Sequence, residues 1–451
     1  MDPSYRGLPT ELLESIIDIL FKEQDFVTLK LCSYVNQFFR VLSQSRLFRK
    51  VTFVNSKGHS PTSALNSNES MSSYEPALSF NDNLDSSPHI ASYVQGLTMP
   101  CTWIRMSSGS GNPTHWLQRD RGLPRLLPRL IDLRCLAFPG KRITTRNMLH
   151  QSWPRRWFMF SAAIRTALIT TLASNTLTEL NITGIGLFPS NLFKSCSTLR
   201  RLSITTLQTD DPDVQPSCNS DHVDNQGSFS GNLSLKTNRL EYLHLEDLSK
   251  LEEVLAWLLL AGCPLDITRL RAFSLSPERV EDVENVTKFS TIMEVLSDLR
   301  IDVTRSCDIS VSYNTFGETI ERYSAPPPDF RCFKAVKSLT VIAFLVGIFP
   351  QQILYNNLSS PILWITKLVE GFPLLSQLVL NLSFLGFTEA PEIIQLLHDD
   401  WVQLGHCISN ANSPGFSAEM NINGLDAAGA EILWQDAAFK ELEAIVQVTC
   451  N

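Results

Sequence analysis

Few residues in this 451-residue chain have the types and spacing that catalysis would need. His398 is followed by two aspartates, but consecutive side chains do not converge on one substrate, so a solvated helix end is the better interpretation. Residues 107–113, SSGSGNP, lack the lysine of a phosphate-binding loop and the glycine spacing of a dinucleotide-binding turn. Neither HExxH nor GxSxG occurs in the sequence. We therefore expect a non-catalytic chain without a cofactor.

The cysteines and the apolar runs indicate the compartment. The ten cysteines are spaced at least 22 residues apart, which predicts neither a zinc site nor a RING-like array. Scattered thiols without a secretory signal favour a reducing cytoplasm or nucleus. The longest apolar runs, 254–265 and 339–349, are shorter than the roughly 20 residues that cross a bilayer. We expect these runs to be buried core segments of an intracellular protein.

The formal charge of −8 argues against a general nucleic-acid or anionic-membrane binder. Residues 119–156 are the exception, with ten Lys or Arg and two Asp. Because guanidinium groups suit phosphate recognition, one interpretation is a site for an acidic or phosphorylated peptide. Its residues would be Arg125, Arg129, Arg155 and Arg156. In the other interpretation the arginines face water while four leucines pack inward: Leu126, Leu127, Leu130 and Leu133.

The first fifty residues have the pattern of three short helices. Within 8–20, LPTELLESIIDIL, the apolar residues form two neighbouring helical stripes, more than the roughly 100° arc that one core requires. Pro9 suits a helix start and Asn36 suits the N-cap of the third helix. So small a unit cannot bury two apolar faces by itself. The first helix must therefore offer one stripe either to a partner protein or to the rest of the chain.

Residues 6–50 resemble the F-box, and most closely the F-box proteins of basidiomycete fungi. The matching features include Leu8-Pro9, Glu11, Leu47-Phe48, and an aromatic Phe39 where many members have tryptophan. The resemblance implies docking on the S-phase kinase-associated (Skp) adaptor, which links the F-box to a cullin-RING ubiquitin ligase. The adaptor-binding residues it implies are Leu8, Pro9, Leu12, Leu13, Ile16, Ile17, Leu20, Leu29, Val35, Phe39, Leu47 and Phe48.

A hexamer of the form apolar-x-x-apolar-x-apolar recurs behind the N-terminal helices. Its nine copies begin at residues 94, 133, 177, 199, 240, 270, 296, 336 and 375. The second half of each copy alternates like a strand, and helix-like segments such as 159–174 and 251–262 intervene, which is typical of leucine-rich repeats. However, successive copies start 22 to 44 residues apart, whereas regular repeats have about 20–29 residues. An ordinary α/β domain is the alternative.

The sequence thus predicts a mixed fold, in which a small all-α F-box of three helices (6–50) precedes an irregular, leucine-rich-repeat-like α/β solenoid (90–400). A Ser/Asn-rich flexible linker is expected at 55–88, a disordered insertion at about 208–235, and a C-terminal segment without the repeat pattern at 401–451.

The resemblance implies a substrate-recognition subunit of a Skp–cullin–F-box ubiquitin ligase. Its partners would be the Skp adaptor, cullin through that adaptor, and a protein substrate. The alternative is an adaptor-bound scaffold outside ubiquitin transfer. Neither interpretation involves a metal, a nucleic acid or a membrane.

Overall fold

The fold was described from a computed structural model. The residues described form two compact units, the first ending at Leu199 and the second beginning at Arg200. They are 9–53, 75–100, 117, 120–140, 155–205, 207–208, 238–246, 251–259, 263–276, 287, 293–302, 330–346, 361–385, 398–411, 415–425 and 427–450.

Helices make up the start of the first unit. They are α1 (Thr10–Lys22), α2 (Phe26–Cys32), α3 (Gln37–Leu47), α4 (Pro76–Ser86), α5 (Leu123–Leu126) and α6 (Ala162–Leu172). Short 3-10 helices lie at Pro88–Tyr93, Leu127–Arg129, Trp157–Met159 and Ser190–Ser195. Asn36 caps α3 as the sequence predicts, because its side chain accepts a hydrogen bond from the backbone N–H of Phe39 at 2.9 Å.

The strands of the first unit form a parallel sheet. They are β1 (Lys50–Thr52), β2 (Gly96–Thr98), β3 (Cys135–Ala137), β4 (Arg155–Arg156), β5 (Glu179–Ile182), β6 (Ile185–Gly186) and β7 (Phe188–Pro189). The sheet order is β1, β2, β3, β5, and β4 pairs separately with β6. Parallel neighbours need a crossover connection, and α6 lies in the connection between β3 and β5.

The second unit repeats this arrangement on a larger scale. Its strands are β8 (Arg201–Ile204), β9 (Leu207–Gln208), β10 (Asn238–Arg239), β11 (Tyr242–Glu246), β12 (Leu265–Asp266), β13 (Ala272–Ser276), β14 (Asp298–Asp302), β15 (Ser338–Val346), β16 (Gln377–Leu385), β17 (Ser417–Asn423) and β18 (Gln447–Cys450). A parallel sheet runs in the order β8, β11, β13, β14, β15, β16, β17, β18, and β10 pairs with β12.

Helices also separate the strands of the second unit. They are α7 (Leu251–Leu258), α8 (Pro361–Glu370), α9 (His398–Ser409), α10 (Ala427–Gln435) and α11 (Ala437–Glu443), with a 3-10 helix at Phe330–Cys332. The apolar runs that were expected to be core segments lie here, since 254–258 belongs to α7 and 339–346 belongs to β15. The described chain is therefore mixed α/β with parallel sheets, which confirms the mixed class of the prediction.

Each of the nine hexamers coincides with a strand. The apolar residues at positions 1, 4 and 6 are buried in every copy, from Val94, Leu97 and Met99 to Leu375, Leu378 and Leu380. Because side chains alternate along a strand, positions 4 and 6 share the inner face, and positions 3 and 5 face the other way. The hexamer therefore encodes one strand with one buried face.

The strands pair in a constant register although the hexamers are irregularly spaced. Position 3 of one copy lies opposite position 3 of the next, as with Tyr242 and Ala272, or Asp298 and Ser338. The carbonyl at position 2 accepts two hydrogen bonds from the next copy: that of Arg271 accepts from the N–H groups of Ser297 and Asp298 at 2.9 and 3.0 Å. Backbone pairing thus fixes the register, whatever the length of the chain between two strands.

Two predicted boundaries are corrected. Residues 76–86 of the expected linker form α4, in which Ala77 and Leu84 are fully buried, so the linker prediction is wrong for this part. Residues 54–74 and the insertion at about 209–235 lie outside the described residues. The boundary expected at residue 400 does not end the sheet, because β17 and β18 continue it, although the hexamer pattern itself is incomplete there.

Candidate functional site

Helix α1 presents apolar side chains in two directions. Leu12, Ile16 and Ile19 lie about one turn apart and are 50%, 44% and 51% exposed. The neighbouring stripe consists of Leu13, Ile17 and Leu20, of which Ile17 is buried and the other two are half-buried. Only the second stripe therefore contributes to the core of the first unit.

The other two N-terminal helices and the turn between them add to this exposed apolar surface. Ten of the eighteen exposed large hydrophobic side chains in the described residues lie between positions 12 and 41. Besides the three in α1, they are Phe26, Val27, Leu31, Tyr34, Val35, Phe38 and Val41. We call these ten side chains the apolar surface. Such a concentration of exposed apolar side chains is typical of a protein-binding site.

Local hydrogen bonds hold the helices that form the apolar surface. Asp25 accepts from the backbone N–H and the hydroxyl of Thr28 at 3.0 and 2.7 Å, which caps α2. These bonds lower the pKa of Asp25 below its ordinary value. The guanidinium of Arg40, on α3, donates to the carbonyl of Ser33, just after α2, at 3.4 Å.

An ion pair joins the first and third helices. Arg46 Nε lies 2.6 Å from Asp18 Oδ1, and the hydrogen bond from Arg46 lowers the pKa of this carboxyl. Both side chains are partly exposed, so the pair contributes only about 0.2–1 kcal/mol to stability. Its role is to fix the position of α3 against α1, while the buried Ile17 and Leu29 form the core beneath.

The residues that the F-box resemblance implies for the adaptor fall into three groups. Pro9, Leu12, Ile16 and Val35 are exposed, and Leu8 lies outside the described residues. Leu13, Leu20, Phe39, Leu47 and Phe48 are half-buried. Ile17 and Leu29 are 1% and 0% exposed, so the expectation that they contact a partner directly is wrong: they are core residues.

Several exposed residues were missing from the predicted set: Ile19, Phe26, Val27, Leu31, Tyr34, Phe38 and Val41. A signal for some of them exists in the sequence. Ile19 follows Ile16 by three residues and Leu31 follows Val27 by four, so each pair shares one helix face. Which of two apolar faces is buried is decided by the packing of the helices, and the sequence pattern does not contain that information.

Of the four arginines of the predicted peptide site, Arg129 is engaged within the fold. Arg129 Nη1 lies 2.7 Å from Asp85 Oδ1 and 3.3 Å from Asn81 Oδ1, so its charge is used within the first unit. Arg155 and Arg156 form β4, and their side chains lie outside the described part of the chain. Arg125 is exposed. The four leucines of the stretch are buried as the alternative interpretation predicts: Leu126, Leu127, Leu130 and Leu133.

A buried carboxylate anchors this stretch to α4. Asp120 is 2% exposed and accepts from the backbone N–H groups of Ala77 and Gly122, both at 2.8 Å. Burial raises the pKa of Asp120, and these two hydrogen bonds oppose that increase. The amide of Asn81 donates to the carbonyls of Ala77 and Gly122 at 2.9 and 2.8 Å. The hydrogen-bond donors and acceptors of these groups pair with one another, which is typical of a structural contact.

The histidine that the sequence singled out is part of a helix contact. His398 begins α9, as the expected helix end, and its Nδ1 lies 2.8 Å from Asp436 Oδ2. The other oxygen of Asp436 accepts from the N–H of Phe439 at 3.0 Å and caps α11. Among the described residues no group of three or more His, Cys, Asp or Glu side chains is placed to hold a metal ion.

No protein-family model matches this chain, and no curated protein sequence matches it either. None of the helices in the described ranges is both long enough and apolar enough to cross a lipid bilayer.

Proposed function

We propose that this protein is a non-catalytic substrate-recognition subunit of a Skp–cullin–F-box ubiquitin ligase. The observation on which the proposal rests is the outward stripe of α1, where Leu12, Ile16 and Ile19 are about half exposed while the adjacent Ile17 is buried. The resemblance of residues 6–50 to the F-box supplies the partner, the Skp adaptor. A compartment containing that ligase, the cytoplasm or the nucleus, follows from the same proposal.

In this proposal the apolar surface enters a groove of the adaptor. An amphipathic helix binds in this way by burying residues at i, i+3, i+4 and i+7, and Leu12, Ile16 and Ile19 have that spacing. Full burial of a large apolar side chain is favourable by about 1.5–3 kcal/mol. The three side chains are already about half buried, so each gains about half of that amount on docking.

The in-register hexamers support a leucine-rich-repeat-like solenoid as the substrate-binding part. Position 3 of successive strands forms a continuous row in the second unit, from Arg201 to Gln377. The proposed mechanism is proximity. A substrate held on the repeats is presented to a ubiquitin-charged enzyme at a high effective concentration, and the partners perform the chemistry.

The proposal is tested by capturing purified Skp adaptor on the full-length chain. The variant Leu12→Glu/Ile16→Glu places two charges on the proposed interface and should abolish capture. A matched control, Ile131→Glu/Ile169→Glu, changes two exposed apolar residues elsewhere in the first unit and should bind like wild type. Circular dichroism must show that all three proteins are folded. Absence of binding by the folded wild type would refute the proposal.

The alternative of a scaffold outside ubiquitin transfer makes a different prediction in cells. A ligase subunit should co-purify with the adaptor, cullin and a ubiquitinated protein, and the Leu12→Glu/Ile16→Glu variant should lose all three. A scaffold should co-purify with the adaptor alone. Recovery of adaptor without cullin would therefore favour the scaffold.

A further inference from the structure

Six side chains form a compact grid on the outward face of β15, β16 and β17. Hexamer position 5 and the residue after the hexamer, position 7, point away from the buried positions 4 and 6, because side chains alternate along a strand. The strand register aligns these positions in two rows of three. We call this set the outward grid. Its members are Thr340, Val379 and Glu419 at position 5, and Ile342, Asn381 and Asn421 at position 7.

The outward grid is accessible to a partner. Glu419 is exposed, and the other five side chains are half-buried. On β13, in contrast, Ser274 and Ser276 occupy the same two positions and are only 2% and 1% exposed. Because neighbouring strands are about 4.8 Å apart and alternate residues about 6.6 Å apart, the grid measures about 10 by 7 Å. This is the span of about three residues of an extended peptide.

Hydrogen bonds orient the polar half of the outward grid. The amide NH₂ of Asn421 donates to Oδ1 of Asn381 at 3.1 Å and to Oε1 of Glu419 at 2.9 Å, which uses both of its donors. Within the described ranges, the NH₂ of Asn381 and the second carboxylate oxygen of Glu419 form no hydrogen bond. The grid therefore offers a donor for a peptide carbonyl beside an acceptor for a cationic side chain.

Val379 and Ile342 form the apolar half of the outward grid. They lie on adjacent strands in neighbouring rows, and such diagonal neighbours are about 7–8 Å apart. Val379 is also directly opposite Glu419, on the next strand. In an extended peptide, side chains two residues apart point the same way and are about 6.6 Å apart. An apolar residue bound over Val379 therefore places the residue two positions away within reach of Glu419.

The charge of this part of the chain favours a cationic partner. Residues 361–451, which include β16, β17 and β18, contain eleven Asp or Glu and two Lys, a net charge of −9. A second copy of the chain, an acidic peptide or a nucleic acid would be repelled. Arg300, at position 5 of β14, is three strands from Glu419, about 14 Å. No ion pair joins these two residues in the described part of the chain.

We propose that the outward grid binds an extended segment of a partner protein in which an apolar residue and a Lys or Arg are two positions apart. The apolar side chain packs against Val379 and Ile342, the cation pairs with Glu419, and the NH₂ of Asn381 donates to a backbone carbonyl of the segment. Complementary charge at an exposed site acts mainly by selecting among partners. The inference deepens the proposed function, on which it rests, because it names the chemical class of the substrate segment.

Fluorescence anisotropy with dye-labelled peptides tests the inference on the full-length protein. The probes are serine- and glycine-based peptides of about eight residues, which extend beyond the grid at roughly 3.3 Å per residue. Their central residues are leucine, serine and arginine in the first peptide, leucine, serine and glutamate in the second, and serine, serine and arginine in the third. The variant Glu419→Lys reverses the charge of the grid. The control Glu370→Lys makes the same change at an exposed glutamate of α8.

Wild type and Glu370→Lys should bind the leucine–arginine peptide at least about tenfold more tightly than either of the other two. Glu419→Lys should instead prefer the leucine–glutamate peptide, because its ammonium group attracts the carboxylate and repels the guanidinium. Equal affinities for the three peptides, no binding by the folded wild type, or the same preference in both variants would overturn the inference. A wild-type dimer in sedimentation that Glu419→Lys dissociates would also overturn it, since a second copy would then occupy the grid.

Adaptor capture by the same preparations separates this inference from the proposed function. If capture is intact and the wild type shows no preference for the leucine–arginine peptide, only the inference on the outward grid fails. If that preference is present and the folded wild type captures no adaptor, the ligase proposal fails and the peptide site remains.

Discussion

Ile16 and Ile17 are adjacent in the sequence but differ in burial: Ile16 is 44% exposed, and Ile17 is 1% exposed. The 100° rotation between consecutive helical residues places one side chain outside and the other in the core. The same residue type thus has two roles in α1, and a pair of matched substitutions separates them.

Alanine at Ile17 should mainly lower stability, and alanine at Ile16 should mainly weaken adaptor binding. Ile17→Ala removes buried methylene groups and should lower the free energy of unfolding by about 2–5 kcal/mol. Ile16→Ala should change it by less than about 0.5 kcal/mol but weaken adaptor binding by more than about 1 kcal/mol. Urea unfolding and adaptor titration measure the two quantities. A large loss of stability in Ile16→Ala would show that this stripe is buried within its own chain.

Replacement of Asp120 by its amide isostere, asparagine, should lower the stability of the protein. Both carboxylate oxygens accept from backbone N–H groups, those of Ala77 and Gly122. In Asp120→Asn one of the two oxygens becomes an NH₂ donor, so one buried N–H loses its partner, at a cost of about 1–3 kcal/mol. We expect Asp120→Asn to be nearly as destabilising as Asp120→Ala in urea unfolding. The exposed Asp132→Asn is the control and should unfold like wild type.

Gly424 and Gly415 allow steric crowding to be separated from backbone strain. Both have positive φ, +82° and +79°, but a Cβ on Gly424 would lie 2.4 Å from the carbonyl oxygen of Phe384, whereas one on Gly415 would meet nothing within 4 Å. Gly415→Ala should cost about 1 kcal/mol from strain alone. Gly424→Ala should cost clearly more. Equal unfolding free energies for the two variants would mean that the backbone between β16 and β17 shifts at little cost to admit a Cβ at Gly424.

The contact between His398 and Asp436 should make stability depend on pH. The hydrogen bond that His398 donates to the Asp436 carboxylate raises the pKa of His398. Burial alone would raise the pKa of Asp436, but His398 and the N–H of Phe439 together lower it. Because the pKa of His398 is raised in the folded protein, this residue adds stability that is lost as the pH rises through its folded-state pKa. Because the pKa of Asp436 is lowered, this residue adds stability that is lost as the pH falls through its folded-state pKa.

The pair should therefore stabilise the fold most between the ordinary pKa values of aspartate and histidine, about 3.9 and 6.5. His398→Ala should destabilise the protein more at about pH 5.5 than at about pH 8.5. Urea unfolding at both pH values checks this. His406→Ala, an exposed residue on the same helix, is the control and should show no such difference. A pH-independent loss in His398→Ala would mean that the neutral hydrogen bond alone matters.

Much of the strand pattern was predictable, because a hexamer with three apolar positions describes one strand with one buried face. The pattern also occurs at 48–53, FRKVTF, where β1 aligns Lys50 with Gly96. This tenth copy could therefore have been predicted from the sequence. Strands β17 and β18 could not be predicted in this way, because Gly415 and Glu443 occupy hexamer position 1, where the other copies have an apolar residue. At those two strands the register is maintained by backbone pairing together with buried side chains such as Met420 and Val446.

The charged residues were the least predictable part of the chain. Arg125 and Arg129 are close in sequence, yet Arg129 is bound to Asp85, 44 residues earlier. Arg271 and Lys337 are 66 positions apart in the sequence but immediately precede β13 and β15, which are separated by one strand, β14. Local sequence density of charge therefore does not show which groups a charged side chain meets, because neighbours across a parallel sheet are distant along the chain.

The sequence by itself determined where most of the strands lie, which of their faces is apolar, and that α1 has more apolar surface than one core requires. These properties depend on side-chain periodicity, which is local. Only the tertiary structure decided that Ile17 and not Ile16 is buried, and that Arg129 is used within the fold. These properties depend on which distant segments pack together, and that is set by the free energy of the whole chain.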